Sequence, residues 1–163
     1  MAKWQREKIK IRKDLGPLQR EAVGLEIIER IKDRTKKGFD RKGKKFPGYS
    51  KNYTESLDFK IAGKSAGKVD LELSSEMMNS IEVLSHKKGE IVIGFDKGNS
   101  DLNGKVEGNR LGTYGGKPKR GKKRDFLGIQ RKDLVKIQNN YDYNKEERNK
   151  IKDRINRIHS ILG

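Results

Sequence analysis

Apolar residues recur at helical spacing in several stretches of the chain. The first stretch begins at Pro17, a residue that suits the first turn of a helix, and its apolar stripe consists of Leu18, Ala22, Leu25, Ile28 and Ile31. This spacing predicts a helix that ends near Gly38. Residues 105–113 and 131–137 predict shorter helices. The segment NKEERNKIKDRINRIHSIL (144–162) predicts the clearest helix, because its apolar residues recur at intervals of four, three and four.

Strands are predicted in the middle of the chain, where apolar and polar residues alternate. VDLEL (69–73) has the period-two pattern of a half-buried strand. IEVLSHKKGEIVIGF (81–95) predicts a β-hairpin with KKG at the turn. Between them, SSEMMNSI (74–81) predicts one helical turn whose buried side chains are Met77, Met78 and Ile81.

Long stretches without a period separate these elements. We expect 1–16 to be a basic N-terminal arm, 39–68 to be a long loop and 96–105 to be a second loop. Residues 17–137 are predicted to form a single domain, and 138–163 a C-terminal helical extension. The predicted fold class is α+β, with a small antiparallel sheet packed against an N-terminal helix, long loops and a C-terminal helix.

The composition limits the core that this chain is able to build. Its 163 residues suit one domain, but only 31% of them are hydrophobic and 39% are charged. Such a chain is either partly disordered or completes its burial against partners. The absence of cysteine excludes disulfides, thiolate zinc sites and cysteine nucleophiles. No apolar run predicts a membrane span, and the start MAKWQREKIKIRKDLG lacks a signal-peptide core, so we expect synthesis in the cytoplasm.

The net charge of +17 is concentrated at the two ends of the chain. Residues 1–45 carry 16 basic and 7 acidic side chains (net +9), and residues 117–163 carry 15 and 6 (net +9). Residues 46–116 carry 9 and 10 (net −1). This distribution favours contact with phosphate backbones or with acidic protein surfaces. It predicts a nearly neutral folded body with basic appendages.

The densest basic run, KPKRGKKR (117–124), lies in a predicted loop at 115–125. It is either a solvated loop or a phosphate-contacting segment. No aromatic residue interleaves with it, which argues against recognition of single-stranded bases. The candidate contacts with a partner or with DNA are Lys117, Lys119, Arg120, Lys122, Lys123 and Arg124. The residues that we expect to anchor the core are Met77, Met78, Ile81, Phe95, Phe126 and Leu127.

No motif in the chain predicts catalysis or a bound metal. GKSAGK (63–68) is one residue short of a phosphate-binding loop and leads into a predicted strand. NSDLNG (99–104) resembles the start of a calcium loop, but Arg110 occupies the twelfth position, where a glutamate is required. His86 and His159 are far apart in sequence, and no Ser-His-Asp set is evident. We therefore expect no catalytic, cofactor-binding or metal-binding residue, no cofactor and no enzymatic activity.

Five segments occur in an order that resembles a known family. They are KKFPGYSKNY, VDLELSSEMMNSI, IVIGF, KVEGNRLGTYGG and RDFLGIQRKDL, within about residues 45–137. This order is similar to that of the virion morphogenesis (tail-completion, neck) proteins of tailed bacteriophages. The chain departs from the family pattern at Ser74 and Ser75, where Thr-Gly is commoner, and in its helix beyond residue 140.

The resemblance implies a structural virion protein that is not an enzyme. It implies a ring, expected to be hexameric, at the head–tail joint around the DNA channel. Its partners would be copies of itself and the adjoining head-completion, connector and tail proteins, with non-specific contact to genomic DNA and no membrane. The leading alternative of another class is a stand-alone basic nucleic-acid-binding protein, and a phage nuclease or protease is the third and weakest. A tail terminator of the same virion region is an alternative within the first class.

Overall fold

Helices and one small antiparallel sheet make up the fold, which confirms the predicted α+β class. The computed structural model describes residues 3–69, 71, 75–113, 122–141 and 148–163. None of the helices in these ranges is both long and apolar enough to span a membrane. In chain order the elements are β1 (Arg6–Lys10), α1 (Pro17–Lys36), α2 (Lys51–Thr54), α3 (Leu57–Ile61), α4 (Ser75–Asn79), β2 (Glu82–Lys87), β3 (Glu90–Gly94), α5 (Ser100–Leu111), α6 (Arg131–Asn139) and α7 (Arg148–Leu162).

The sheet is built on the predicted hairpin. β2 and β3 pair antiparallel across a turn at Lys88 and Gly89, as the sequence predicted, and β1 pairs with the other edge of β3. The φ angle of Gly89 is 81°, a conformation that glycine adopts without strain. On the inner face of the sheet, Ile91 and Ile93 are fully buried. Helix α1 packs against this face.

The prediction of an N-terminal arm is wrong, because β1 is part of the sheet. Its register pairs Arg6 with Gly94 and Ile9 with Ile91. Ile9 and Ile11 are buried and alternate with exposed cations, which is the pattern of a half-buried strand obscured by its charge. Gly94 permits this pairing, since a Cβ atom there would lie 2.5 Å from the Gln5 carbonyl oxygen. The strand therefore needs glycine at this position.

Helix α1 is the centre of the core, and it agrees with the helix predicted from Pro17. It is buried at consecutive positions, including Ile27 and Ile28, so more than one of its faces is covered. The short helix α4 also forms where a helical turn was predicted. The six residues predicted to anchor the core are all between 0% and 7% exposed: Met77, Met78, Ile81, Phe95, Phe126 and Leu127.

The C-terminal helix is part of this core and not an extension, which corrects the prediction for 138–163. α7 packs against α1, and its Ile155 and Ile158 belong to the same buried cluster. A polar contact closes the junction: Tyr141 Oη donates to Glu26 Oε1, and Arg154 Nε lies 3.0 Å from the same oxygen. The sequence pattern predicted a single apolar stripe on α1. The structure shows that a second face of α1 is also buried, which leaves a face for α7 to pack against.

Three predictions for the connecting segments are corrected. The loop at 39–68 contains α2 and α3, each with a serine at its N-cap. The described residues of the predicted strand 69–73, Val69 and Leu71, are buried but not in a strand, and the φ angle of Leu71 is 57°. Helix α5 ends at Gly112 as predicted but begins within the loop predicted at 96–105. Its N-cap is Asn99, whose Oδ1 accepts a hydrogen bond from the Leu102 amide.

Candidate partner-binding surface

The described end of the basic run contacts the segment after α1. Lys117, Lys119 and Arg120 lie outside the described residues. Lys122 and Lys123 are exposed, and Lys122 Nζ donates to the Gly48 carbonyl oxygen at 2.7 Å. The Arg124 guanidinium donates to the Gly48 carbonyl oxygen at 3.2 Å and to the Pro47 carbonyl oxygen at 3.3 Å. The basic run therefore does not leave the body as a free tail at this end.

Arg124 clamps an aromatic cluster that consists of Tyr49, Tyr53 and Phe59. The ring centroids of the three side chains lie 5.1–5.5 Å apart, and the Arg124 guanidinium lies 5.3 Å from the centroid of Tyr49. Burial lowers the pKa of this guanidinium, which nevertheless stays charged because arginine titrates far above neutral pH. Arg124 thus holds the segment of α2 and α3 against the body. Because Arg124 is partly buried and Lys123 is exposed, Lys123 is the better placed of the two to contact a partner.

The aromatic cluster fixes an apolar patch that faces solvent, here called the α3 patch and formed by Leu57 and Ile61. Phe59 is 4% exposed and attaches α3 to the cluster. Leu57 and Ile61 are four residues apart, so they share the opposite side of this short helix, and they are 70% and 75% exposed. Leu57 and Ile61 therefore present a small apolar patch to solvent on one side of α3.

Four charged residues close a ring of alternating ion pairs on the body, here called the charge ring: Glu7, Arg41, Asp125 and Arg110. Arg41 Nη2 lies 2.7 Å from Glu7 Oε1, and Arg110 Nε lies 2.9 Å from Asp125 Oδ1. The two longer pairs join Arg110 to Glu7 at 3.3 Å and Arg41 to Asp125 at 3.6 Å. Burial alone would lower the pKa of Arg41, but the bond to Glu7 and the nearby carboxylates raise it.

Each residue of the segment RDFLG (124–128) packs against the body of the protein. Arg124 clamps the aromatic cluster, and Asp125 belongs to the charge ring. Phe126 packs edge-to-face against Phe95, with ring centroids 6.4 Å apart, and Leu127 is fully buried. Gly128 has a φ angle of 144°, and a Cβ atom there would lie 2.7 Å from the Arg41 guanidinium carbon. The segment therefore fastens the end of the basic run to the core.

Replacing Asp125 by asparagine is expected to lower the free energy of unfolding by about 1–3 kcal/mol, because two half-buried guanidinium groups would share one carboxylate. Chemical denaturation followed by circular dichroism measures the loss. Asp153→Asn, which changes an exposed aspartate of α7, is the matched control and should stay within about 0.5 kcal/mol of the original chain. Equal stability of the two variants would show that the charge ring contributes no stability.

The calcium-like segment has a structural role in place of a metal-binding one. Asn103, in the calcium-like segment, is buried; its amide donates to the carbonyls of Asp96 and Asn99, and its oxygen accepts from the Gln5 amide. These bonds hold the start of α5 against the start of β1. His86 and His159 are exposed. Within the described ranges, no group of three or more His, Asp or Glu side chains is placed to hold a metal ion.

The chain was compared with protein-family models, with curated proteins and with solved structures. None of the three comparisons finds a match.

Sequence reasoning missed the charge ring and the α3 patch for different reasons. The members of the charge ring are separated by up to 118 residues, from Glu7 to Asp125, so no local pattern connects them. The α3 patch had a local signal, since Ser56 is an N-cap residue followed by apolar residues at 57 and 61. Its helix is only five residues long, too short for a periodicity to emerge.

Proposed function

We propose that this chain is a structural virion protein of a tailed bacteriophage, a neck or tail-completion component that joins head and tail. It forms a closed ring, expected to be hexameric, around the DNA channel, and it binds the adjoining head-completion, connector and tail proteins. It is made in the host cytoplasm and acts in the virion. The observation that carries the proposal is the order of the five segments within about residues 45–137, which resembles that of the family.

Contacts between distant segments support this reading. Arg124 of the last segment lies over Tyr49 of the first, and its amide donates to the Asn109 carbonyl oxygen of the fourth. Phe126 packs against Phe95 of the third segment. The second segment contributes α4, which contacts α5 of the fourth. These contacts make the described parts of the five segments one folded unit, which a family fold spanning them requires.

The α3 patch supplies the protein contact that a ring requires. We assign it to the neighbouring copy of this chain, because its side chains are apolar and its surroundings carry no complementary acidic excess: Lys51, Lys60 and Lys64 flank it, with Glu55 and Asp58. A contact between like-charged copies has to rely on apolar burial. The exposed cations of the basic run, such as Lys123, are then left for an acidic adjoining protein or for DNA.

A stand-alone basic nucleic-acid-binding protein is the alternative favoured by the net charge of +17. It would be a monomer with tight, salt-sensitive affinity for DNA or RNA. A tail terminator of the same virion region would also form a ring, and the proteins that bind its two sides would separate it from a tail-completion protein.

A complementation experiment tests the function. In the phage or prophage that carries this reading frame, an amber allele is expected to leave filled heads and complete tails unjoined in electron micrographs. The original chain supplied in trans should restore joined virions, and so should the control variant with Leu111→Ser and Val135→Ser, two exposed apolar residues elsewhere on the body. The variant with Leu57→Ser and Ile61→Ser should fold but fail to restore them. Normal virions without the chain would refute the proposal.

A further inference from the structure

A row of cations lies on the face of the sheet opposite α1. Arg6, Lys8 and Lys10 are exposed and occupy alternate positions of β1, so they project from the same side. The register pairs them with Gly94, Val92 and Glu90 of β3, whereas Glu7 and Ile9 pair with Ile93 and Ile91 of the inner face. Val92, opposite Lys8, is itself only 8% exposed, so the exposed surface of this face consists mainly of the charged side chains. In the described part of the chain neither Lys8 nor Lys10 has an ion-pair partner. The row spans about 13 Å.

The charges around this row are also mainly basic. The acidic residues that share the face are Glu82 and Glu90, and the neighbouring cations are Lys13, Lys87, Lys88 and Lys97. Lys13 lies beside the hairpin turn, with its Cγ atom 3.2 Å from a Cβ atom placed on Gly89. A further cation therefore lies near each end of the row, Lys97 near Arg6 and Lys13 near the hairpin turn.

Trp4 orders the first cation of the row. The Arg6 guanidinium lies 4.2 Å from the centroid of the indole ring, and the indole N–H donates to the Phe95 carbonyl oxygen at 2.7 Å. Lys97 Nζ lies 5.7 Å from the same ring. A guanidinium stacked on a fixed ring loses less conformational entropy when it meets an anion.

We infer that the exposed cations on the outer face of the sheet, Arg6, Lys8 and Lys10, bind the phosphate backbone of duplex DNA without reading its sequence. A protein partner fits the face less well, because lysine and glutamate are depleted in the cores of protein interfaces. Evenly spaced cations on a flat, extended strand suit a ligand whose negative charges also recur at a regular distance. The stacking of Arg6 on Trp4 leaves no open aromatic platform, so unpaired bases are not the target.

The binding of a short duplex of mixed sequence to the full chain tests this inference, with fluorescence anisotropy measured over a range of salt concentrations. Arg6→Gln, Lys8→Gln and Lys10→Gln together should lower the slope of log affinity against log salt by about 0.9 for each cation, about 2–3 in total. The matched control changes one arginine and two lysines on the exposed side of α6, Arg131→Gln, Lys132→Gln and Lys136→Gln. It should leave the slope nearly unchanged.

Two further readouts locate the contact. Trp4 is the only tryptophan of the chain, so the duplex should change its fluorescence in the original chain. A third variant, Lys119→Gln, Arg120→Gln, Lys122→Gln and Lys123→Gln, compares the basic run with the sheet face and should lose less of the slope than the β1 variant. The inference is overturned if the β1 variant keeps the original slope, if only the basic-run variant loses it, or if the original chain binds polyglutamate but not the duplex. These outcomes are independent of head–tail joining, which tests the proposed function.

Discussion

Phe126→Ala is expected to lower the free energy of unfolding by about 3–5 kcal/mol. The side chain is fully buried and packs edge-to-face on Phe95, so its removal leaves a cavity at the point where the basic run rejoins the body. A typical domain is stable by only about 5–15 kcal/mol. The variant should therefore be partly unfolded at physiological temperature, and it should lose the position of Arg124 on the aromatic cluster as well.

Urea denaturation followed by circular dichroism measures this loss. Leu111→Ala is the control, because Leu111 is a large apolar residue that is 53% exposed, and its removal should cost no more than about 0.5 kcal/mol. A Phe126→Ala variant as stable as the control would mean that RDFLG does not anchor the body, and the account of the basic run would be wrong.

Ile158→Asp is expected to be about as damaging, with a loss of at least about 3 kcal/mol. Ile158 is 3% exposed in the cluster that α7 shares with α1, so aspartate there would bury a carboxylate without a partner. Helix α7 would either detach from α1 or carry the protonated acid at a cost in stability. Detachment would also expose apolar surface of α1.

The matched control lies on the same helix, one turn away. Ile161 is 56% exposed, and Ile161→Asp makes the same chemical change outside the core. It should cost no more than about 1 kcal/mol, mostly from a negative charge near a helix C-terminus. If thermal unfolding gives both variants the same midpoint, α7 is a separate extension, as the sequence alone predicted, and not part of the core.

Elements with a strong local pattern were predictable from the sequence. The helix from Pro17 and the hairpin at 81–95 have the periods of 3.6 and 2 and clear stop signals, and both are confirmed. The burial of Phe126 and Leu127 was also predictable, because two large apolar side chains directly after a charged run are stabilised by removal from water.

Elements whose form depends on distant residues were not predictable in the same way. β1 is a strand because β3 offers it an open edge and Gly94 permits the approach, neither of which is visible within residues 1–16. The strand predicted at 69–73 has the right alternation, but its described residues pair with no strand edge. The candidate surface shows the same difference. Lys123 was predicted as a contact residue because it lies in a dense basic run. The α3 patch was not predicted, because it depends on an aromatic cluster that Arg124 contacts from a distant part of the sequence.

The central claim, that copies of this chain assemble into a closed ring, is tested most directly by its oligomeric state over a range of salt concentrations. Each copy carries a net charge of +17, and salt screens the repulsion between copies. Sedimentation velocity and native mass spectrometry of the full chain should therefore show one closed species, expected to contain six copies, that becomes more populated as salt rises. A chain that stays monomeric at every salt and protein concentration, while it binds duplex DNA tightly at low salt, would contradict the claim and favour a stand-alone nucleic-acid-binding protein.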